Sequence, residues 1–417
     1  MTNTIFIQIA SYRDPELNST LSNCIENAKW PENLRFTICW QHAEEDLWDN
    51  LDNWKEDSRF NILDFKYTDA KGACWARNQI QQQYNGEKYT LHLDSHHRFI
   101  KNWDEELINM HSNLVLEGYK KPLITSYLPS YFPDKDPKDR VMECWQLDFN
   151  RFTPEGYIWT QPSTLNSSHK KPMHSRLFSA HFVFTYGEHA RDVQHDPEMY
   201  FHGEEPSLAA RSFTHGYDLF HPHKIIAWHE YDRNGKKKQW DDDKQWSAKD
   251  KASHARYRRL HSMDGNTYNP KEFGKYGFGN VRTLREYEIY AGFNFSERRI
   301  TSDALNRIPP NYSNNEVSWK NDLVDFFKHC IDMHMSHFKH DDYDFWVISF
   351  ERKDGTVINR NDADETEVRR LLNTCKVGPD DFVRIWREYN GPIPYKFVIW
   401  PHSKENGYVE RYEKRIK

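Results

Sequence analysis

The sequence predicts an α/β protein: a mostly parallel sheet with helices on both faces, followed by a small C-terminal α+β unit. Three observations carry this. Strand-type runs alternate with helical ones from residue 5 to residue 127, the apolar strand at 89–93 stops abruptly at Asp94-Ser-His96, and the pattern changes again beyond residue 340. Sheets of this kind bind ligands beyond the carboxyl ends of their strands, which is where Ser11 to Arg13 and Asp94 to His96 fall.

Residues 5–10 read as a strand that ends in Ser11-Tyr-Arg-Asp-Pro15. A helix over 16–28 follows, with Leu17, Leu21, Cys24, Ile25 and Ala28 at three- and four-residue spacing. Strands at 34–40 and 60–67, a helix at 72–84 and the strand at 89–93 continue the alternation. Asn102 and Glu105 resemble a capping box opening a helix that carries Trp103, Leu107, Ile108 and Met110. A strand returns at 121–127. From 131 to 171 the chain is irregular and rich in proline, with an added strand at 141–149, the kind of excursion that shapes a substrate cleft. A strand at 180–186, a helix at 203–213 and a short strand at 224–228 that delivers His229 complete the first part.

The polar stretch 233–253 reads as a loop or boundary. Helices are expected near 247–260 and 321–335, and strands at 345–350 and 397–400 flank a helix at 366–373. This divides the chain into a catalytic domain at 1–240, a mostly helical extension at 241–340 and a small α+β unit at 341–417. The last unit is assigned to oligomer contact, as in a homodimer, or to acceptor binding.

Composition excludes several classes. With 57 basic and 63 acidic residues the net charge is -6, which offers no basic face for nucleic acid. No run approaches the roughly 18 apolar residues of a membrane span. The opening residues lack a basic region and enter a strand at once, and the six cysteines show no paired spacing, so a cytoplasmic setting is expected. Neither a dinucleotide fingerprint nor a phosphate-binding P-loop follows the first strand.

Asp94 and His96 are two apart and point the same way if the strand geometry continues. One oxygen and one imidazole donor suit Mn²⁺, Zn²⁺ or Fe²⁺ better than an all-oxygen calcium cage. His202-Gly-Glu-Glu205 and Trp228-His-Glu-Tyr231 supply further donors. Glu204 and Glu205 are adjacent and cannot both face one point, so one is assigned to substrate and the other to a structural or helix-start role.

Together Ile9-Ala-Ser-Tyr-Arg-Asp-Pro15, Lys71-Gly-Ala-Cys-Trp-Ala-Arg77, Asp94-Ser-His-His-Arg-Phe99, His195-Asp-Pro197, Phe201-His-Gly-Glu-Glu205, Ala209-Ala-Arg211, Thr214-His-Gly-Tyr-Asp218 and His229-Glu-Tyr231 run in order over residues 5–232. This set resembles the glycosyltransferases that add N-acetylglucosamine to hydroxyproline of the Skp1 protein, and their bacterial relatives. The resemblance implies a GT-A fold with a nucleotide-sugar-binding sheet, in which Asp-x-His replaces the commoner Asp-x-Asp. It implies that Asp94, His96 and His229 hold Mn²⁺ or a similar divalent cation, and that Ser11, Tyr12, Arg13, Arg77, Asp94 and Ser95 bind the donor, UDP-N-acetylglucosamine. It also implies retention at the anomeric carbon, with Glu204, Glu205 and Asp218 as catalytic candidates and a peptide or glycan hydroxyl as acceptor. Asp218 and Asp196 are assigned to sugar hydroxyls, to arginine partners or to turns. Lys71 stands where the family pattern has Arg, and a Lys keeps the charge but loses the bidentate fork. Two rival readings remain: another metal-dependent transferase or hydrolase built around Zn²⁺, and a decayed, carbohydrate-binding relative.

Overall fold

The computed structural model describes residues 3–377 and 381–416. β1 (Ile5–Tyr12), α1 (Leu17–Asn27), β2 (Leu34–His42), β3 (Phe60–Lys66), α2 (Ala73–Gln81) and β4 (Tyr89–Leu93) follow in the expected order. β1 pairs in parallel with both β2 and β4, so the strand order runs outward to β3 and then resumes on the other side of β1. That switch opens a crevice beyond the carboxyl ends of β1 and β4.

The two faces follow from period-two alternation. Ile5, Ile7 and Ile9 of β1 share one core cluster with Leu17, Leu21 and Cys24 of α1, while Phe6 packs in a second cluster with Ala76 and Ile80 of α2. Every residue of β4 is buried, as befits a central strand covered on both sides. Leu91 has no exposed surface. Leu91→Ala is therefore expected to destabilise the protein by about 2–5 kcal/mol, read from its urea unfolding midpoint.

β5 (His97–Phe99) follows β4 at once, and α3 (Trp103–Leu116) packs on the first face through Trp103, Leu107 and Leu114. The start of α3 departs from the expected capping box. Asn102 lies in the left-handed region at φ 59° and makes no side-chain cap bond. Asp104 instead accepts hydrogen bonds from the Lys29 and Trp30 backbone N–H groups at 2.7 and 2.9 Å.

The remaining elements of this part are β6 (Pro122–Thr125), the hairpin of β7 (Trp145–Phe152) and β8 (Ile158–Thr164), β9 (Met173–His174), β10 (Phe182–Tyr186), α4 (Glu204–Thr214), β11 (Asp218–His221), β12 (Ala227–His229) and α5 (Trp246–Leu260). The large sheet has the order β3-β2-β1-β4-β10-β6-β11-β9. Most of its strands run the same way, as expected, and the sheet is mixed because β10 runs antiparallel to both β4 and β6 and β9 antiparallel to β11. The long excursion after β6 returns the chain to the edge where β4 ends, with Phe182 opposite Leu93, so β10 has to run back. This reversal places the residues just before β10 at the same edge as Asp94.

Strands Phe326–His334, Tyr343–Glu351, Phe382–Asn390 and Lys396–Ser403 and the helix Glu365–Val377 build the small C-terminal α+β unit around Phe327, Ile331, Trp346, Ile348, Val383 and Ile385. The helix expected over 321–335 is a strand from Phe326 onward, paired antiparallel with Phe382–Asn390. Phe327, Ile331 and Met333 fall on one buried face at even spacing, and the partner that secures them lies some fifty residues away. Among the described residues no helix is long and apolar enough to cross a membrane.

Candidate metal centre and substrate cleft

Asp94 emerges directly from the carboxyl end of β4. β5 pairs antiparallel with β12, with His229 opposite His97, which brings His229 back over Asp94 and His96. Ligand atoms of Asp94, His96 and His229 all lie within 4.8 Å of one another. Asp94 Oδ2 stands 3.5 Å from His229 Nε2 and 3.9 Å from His96 Nε2. His229 is buried, and neither ring nitrogen has a hydrogen-bond partner. Burial pulls its pKa down to about 4, so the ring is neutral near pH 7 and has a lone pair to offer. Two imidazoles and one carboxylate fit Mn²⁺, Zn²⁺ or Fe²⁺.

A layer of charged partners orients these groups. Asp14, just past the end of β1, is 2.7 Å from His96 Nδ1, accepts from Ser95 Oγ at 2.6 Å and faces Arg233 at 3.1 Å. Engaging Nδ1 leaves His96 Nε2 directed at Asp94, the arrangement by which carboxylates set the tautomer of metal-binding histidines. Burial pushes the Asp14 pKa up, yet His96, Arg233 and Ser95 together hold it well below the ordinary carboxylate range. Arg77 of α2 bridges Asp94 Oδ1 at 2.6 Å and Glu204 Oε1 at 2.5 Å, and Cys74 donates to Glu204 Oε2 at 2.9 Å. Burial alone would raise the Asp94 pKa, but the Arg77 charge, together with His229 and His96 beside it, outweighs burial and keeps the carboxylate ionised.

Two cavities meet at this centre. One, of about 290 Å³, is walled by Tyr12, Tyr200, Arg233, Lys237 and Trp240. The other, of about 300 Å³, is walled by Tyr127, Tyr157, Trp159, His181, His202 and Glu205. Arg77, Asp94, Phe201, His229 and Tyr231 line both.

Sequence reasoning placed Asp94, His96, His229, Ser95, Tyr12, Arg77, Glu204 and Glu205 at one locus, and the structure brings all eight to this junction. Three expectations need correction. Ser11 is fully buried beneath the cleft, with its carbonyl accepting from Gln41 Nε2, so it cannot touch a donor. Arg13 sits at φ 47° with its guanidinium held by Asp46 at 2.6 Å, Asp242 at 3.2 Å and Glu45 at 3.3 Å, which leaves it committed to protein carboxylates. Asp218 opens β11 opposite Pro122, at the far edge of the sheet from Asp94. It accepts from Arg282 at 2.7 Å and from the Tyr312 hydroxyl, so it is an arginine partner outside the cleft.

Other residues of the site were missed. Asp14 was inside a quoted motif but unassigned, although a carboxylate ending β1 shares the edge with one ending β4. His181 stacks on His229 at 4.1 Å because β10 runs backward, which no local pattern signals. Arg233 and the segment 237–240 lie in the polar stretch read as a loop or boundary, yet they wall the first cavity, and Asp242 accepts from the Tyr12 hydroxyl at 2.8 Å.

Glu205 accepts from the Ala180 N–H at 2.8 Å and from the Tyr127 hydroxyl at 3.0 Å. Burial nonetheless pushes its pKa up to about 7 from 4.5. The folded state thus holds the proton more tightly than the unfolded chain, so this group's contribution is full below about pH 4.5 and is lost as pH rises through about 7. Glu205→Gln is expected to remove that slope, leaving the variant stabilised relative to the wild type at pH 8 but not at pH 4, in thermal melts across the range.

A family model described as "Glycosyltransferase (GlcNAc)" matches residues 4–58 and 49–297. Among curated proteins none matches. Among solved structures the chain is similar to GalNAc-T7 with UDP, GalNAc and Mn²⁺, at 12% identity and a TM-score of 0.48, covering 68% of this chain and 54% of that one. It is also similar to S. aureus TarS 1-349 in complex with UDP-GlcNAc, at 8% identity and a TM-score of 0.37, covering 58% and 61%. The mannosyltransferase PcManGT from Pyrobaculum calidifontis, in complex with GDP-Man and Mn²⁺, matches at 11% identity and a TM-score of 0.35, covering 55% and 58%. The chain spans only about half the length of the GalNAc-T7 structure. The family match, by contrast, runs over well more than half of this chain, and the protein belongs to the GlcNAc glycosyltransferase family.

Proposed function

We propose that this protein is a metal-dependent, retaining transferase of GT-A type that moves N-acetylglucosamine from UDP-N-acetylglucosamine to a hydroxyl of a peptide or glycan. The observation that carries this reading is the convergence of Asp94, His96 and His229 at the junction of two cavities, and the reading assigns the first to the donor nucleotide and the second to sugar and acceptor. Asp94, His96 and His229 would hold a divalent cation, which would supply positive charge to the diphosphate and to UDP as leaving group. Tyr12, Arg233 and Lys237 wall the donor side, and the positive groups among them suit a diphosphate. UDP-bound structures of GalNAc-T7 and TarS are of this donor class.

Retention takes place on one face of the sugar in this reading. The carboxylates of the second cavity are all engaged: Glu204 by Arg77 and Cys74, Glu205 by Tyr127 and Ala180, Asp94 by Arg77. None is free to act as a covalent nucleophile. The acceptor oxygen bonds to the anomeric carbon as the bond to UDP breaks, and the acceptor proton passes to the leaving β-phosphate oxygen. Glu204 is then a positioning residue acting through Arg77, while Glu205 and Tyr127 face sugar or acceptor.

Division into 1–240, 241–340 and 341–417, a cytoplasmic setting and a homodimer formed through the C-terminal unit belong to the same proposal. The test is UDP release from a panel of UDP-sugars with and without Mn²⁺. UDP-N-acetylglucosamine is expected to be turned over fastest and only with the metal. Equal turnover after chelation, or preference for another donor, overturns the reading.

A further inference from the structure

A second group of potential metal ligands lies outside the Asp94 centre. Ligand atoms of His202, Asp250 and His254 all fall within 4.8 Å of one another. Asp250 and His254 are one turn apart on α5, and His202 lies on the loop just before α4. His202 Nδ1 is 3.1 Å from Asp250 Oδ1, and His254 Nε2 is 3.6 Å from Asp250 Oδ2. Tetrahedral coordination with bonds of about 2.0–2.1 Å puts neighbouring ligand atoms about 3.3 Å apart, close to both separations.

An independent observation points to a ligand. His254 is 7% exposed, and its Nε2 is buried without a hydrogen-bond partner. The 3.6 Å to Asp250 is too long for such a bond, and buried polar atoms are rarely left unpaired. The rings are also held in place before any ion arrives. Tyr157 stacks on both imidazoles, at 5.4 Å from His202 and 5.0 Å from His254, each tilted by 18°. Gly203, at φ +91°, lets the loop pass close to α5, where a Cβ would meet Tyr257 Cδ2 at 3.0 Å.

We propose that His202, Asp250 and His254 form a second divalent-cation site, of the zinc class, that clamps α5 to the loop leading into Glu204 and Glu205. Two imidazoles and one carboxylate favour Zn²⁺ over Mg²⁺ or Ca²⁺, which take oxygen donors, and a water would complete the set. His202 and Tyr157 also wall the second cavity, so the clamp would brace that cavity without taking part in the reaction at Asp94.

The test uses the full chain, stripped with a chelator and titrated with Zn²⁺ by calorimetry, in an Asp94→Ala background that silences the first centre. One equivalent of Zn²⁺ is expected to bind there and to raise the melting temperature. His254→Ala added to that background should weaken binding by at least about 100-fold, since loss even of an outer-layer partner costs about 10–100-fold. Should His254→Ala fail to fold, His202→Asn, on the partly exposed loop, is expected to give the same loss, checked by circular dichroism. The wild type should bind one equivalent more than His202→Asn alone. Absence of Zn²⁺ binding in the Asp94→Ala background, or binding unchanged by His202→Asn, overturns the site. Because the readout is bound metal rather than sugar transfer, either result leaves the proposed reaction standing.

Discussion

Asp94→Asn is expected to lower Mn²⁺-dependent UDP release from UDP-N-acetylglucosamine by about 10³-fold or more while leaving the protein folded. Asparagine keeps the shape and one oxygen donor but loses the only anionic ligand of the proposed triad, and two neutral imidazoles hold a hard cation weakly. Folding should survive because Arg77 keeps Glu204 at 2.5 Å and is not left as an isolated buried charge. His96 also keeps its orientation through Asp14 at 2.7 Å, so the loss is confined to coordination. The measurement is UDP release against Mn²⁺ concentration, with a thermal melt of the same sample. A variant that reaches wild-type turnover at saturating Mn²⁺ would remove Asp94 from the centre.

The strand that presents Asp94 was legible because every signal was local. Tyr89 to Leu93 alternates, the apolar run ends at a polar turn, and Asp94 and His96, two apart, share the face opposite the leucines. His229 was legible as a further donor at the end of a short strand, but its place beside Asp94 came only from resemblance. The geometry that brings it home is the pairing of three-residue strands more than a hundred positions apart, and nothing in either strand alone specifies that partner. Ser11 and Arg13 failed for a related reason. They stand at the correct sheet edge, but alternation turns Ser11 inward, and Arg13 is claimed by Asp46, on a loop thirty-three residues on. Asp218 was read from its place in a motif, whereas its strand begins at the opposite edge. The strand at Phe326–His334 was lost because its phenylalanines, isoleucine and methionine also satisfy a helical spacing in part, and length alone did not decide between the two.

Arg77→Met should be the most destabilising change in the cleft, costing about 3–5 kcal/mol near pH 7.5, because it leaves the buried Asp94 and Glu204 carboxylates without the cation they share. The sign of its pH dependence distinguishes charge from packing. In the wild type the depressed Asp94 pKa contributes stability that is fully present above the ordinary carboxylate range and is lost only as pH falls below that range through the folded pKa. Without Arg77, burial dominates and raises the Asp94 pKa above its unfolded value, so the variant's penalty is full at high pH and shrinks as the group protonates. Urea unfolding at pH 8, 6 and 5 should therefore show the gap between wild type and variant narrowing toward acid. A gap constant across that range would mean that Arg77 acts through its bulk alone. Mn²⁺ supplies a further discriminator, since a cation at Asp94 replaces part of the missing charge. It should restore stability to Arg77→Met and leave the double variant Arg77→Met with Asp94→Asn unaffected, which ties the buried ion pair and the proposed metal centre to the same carboxylate.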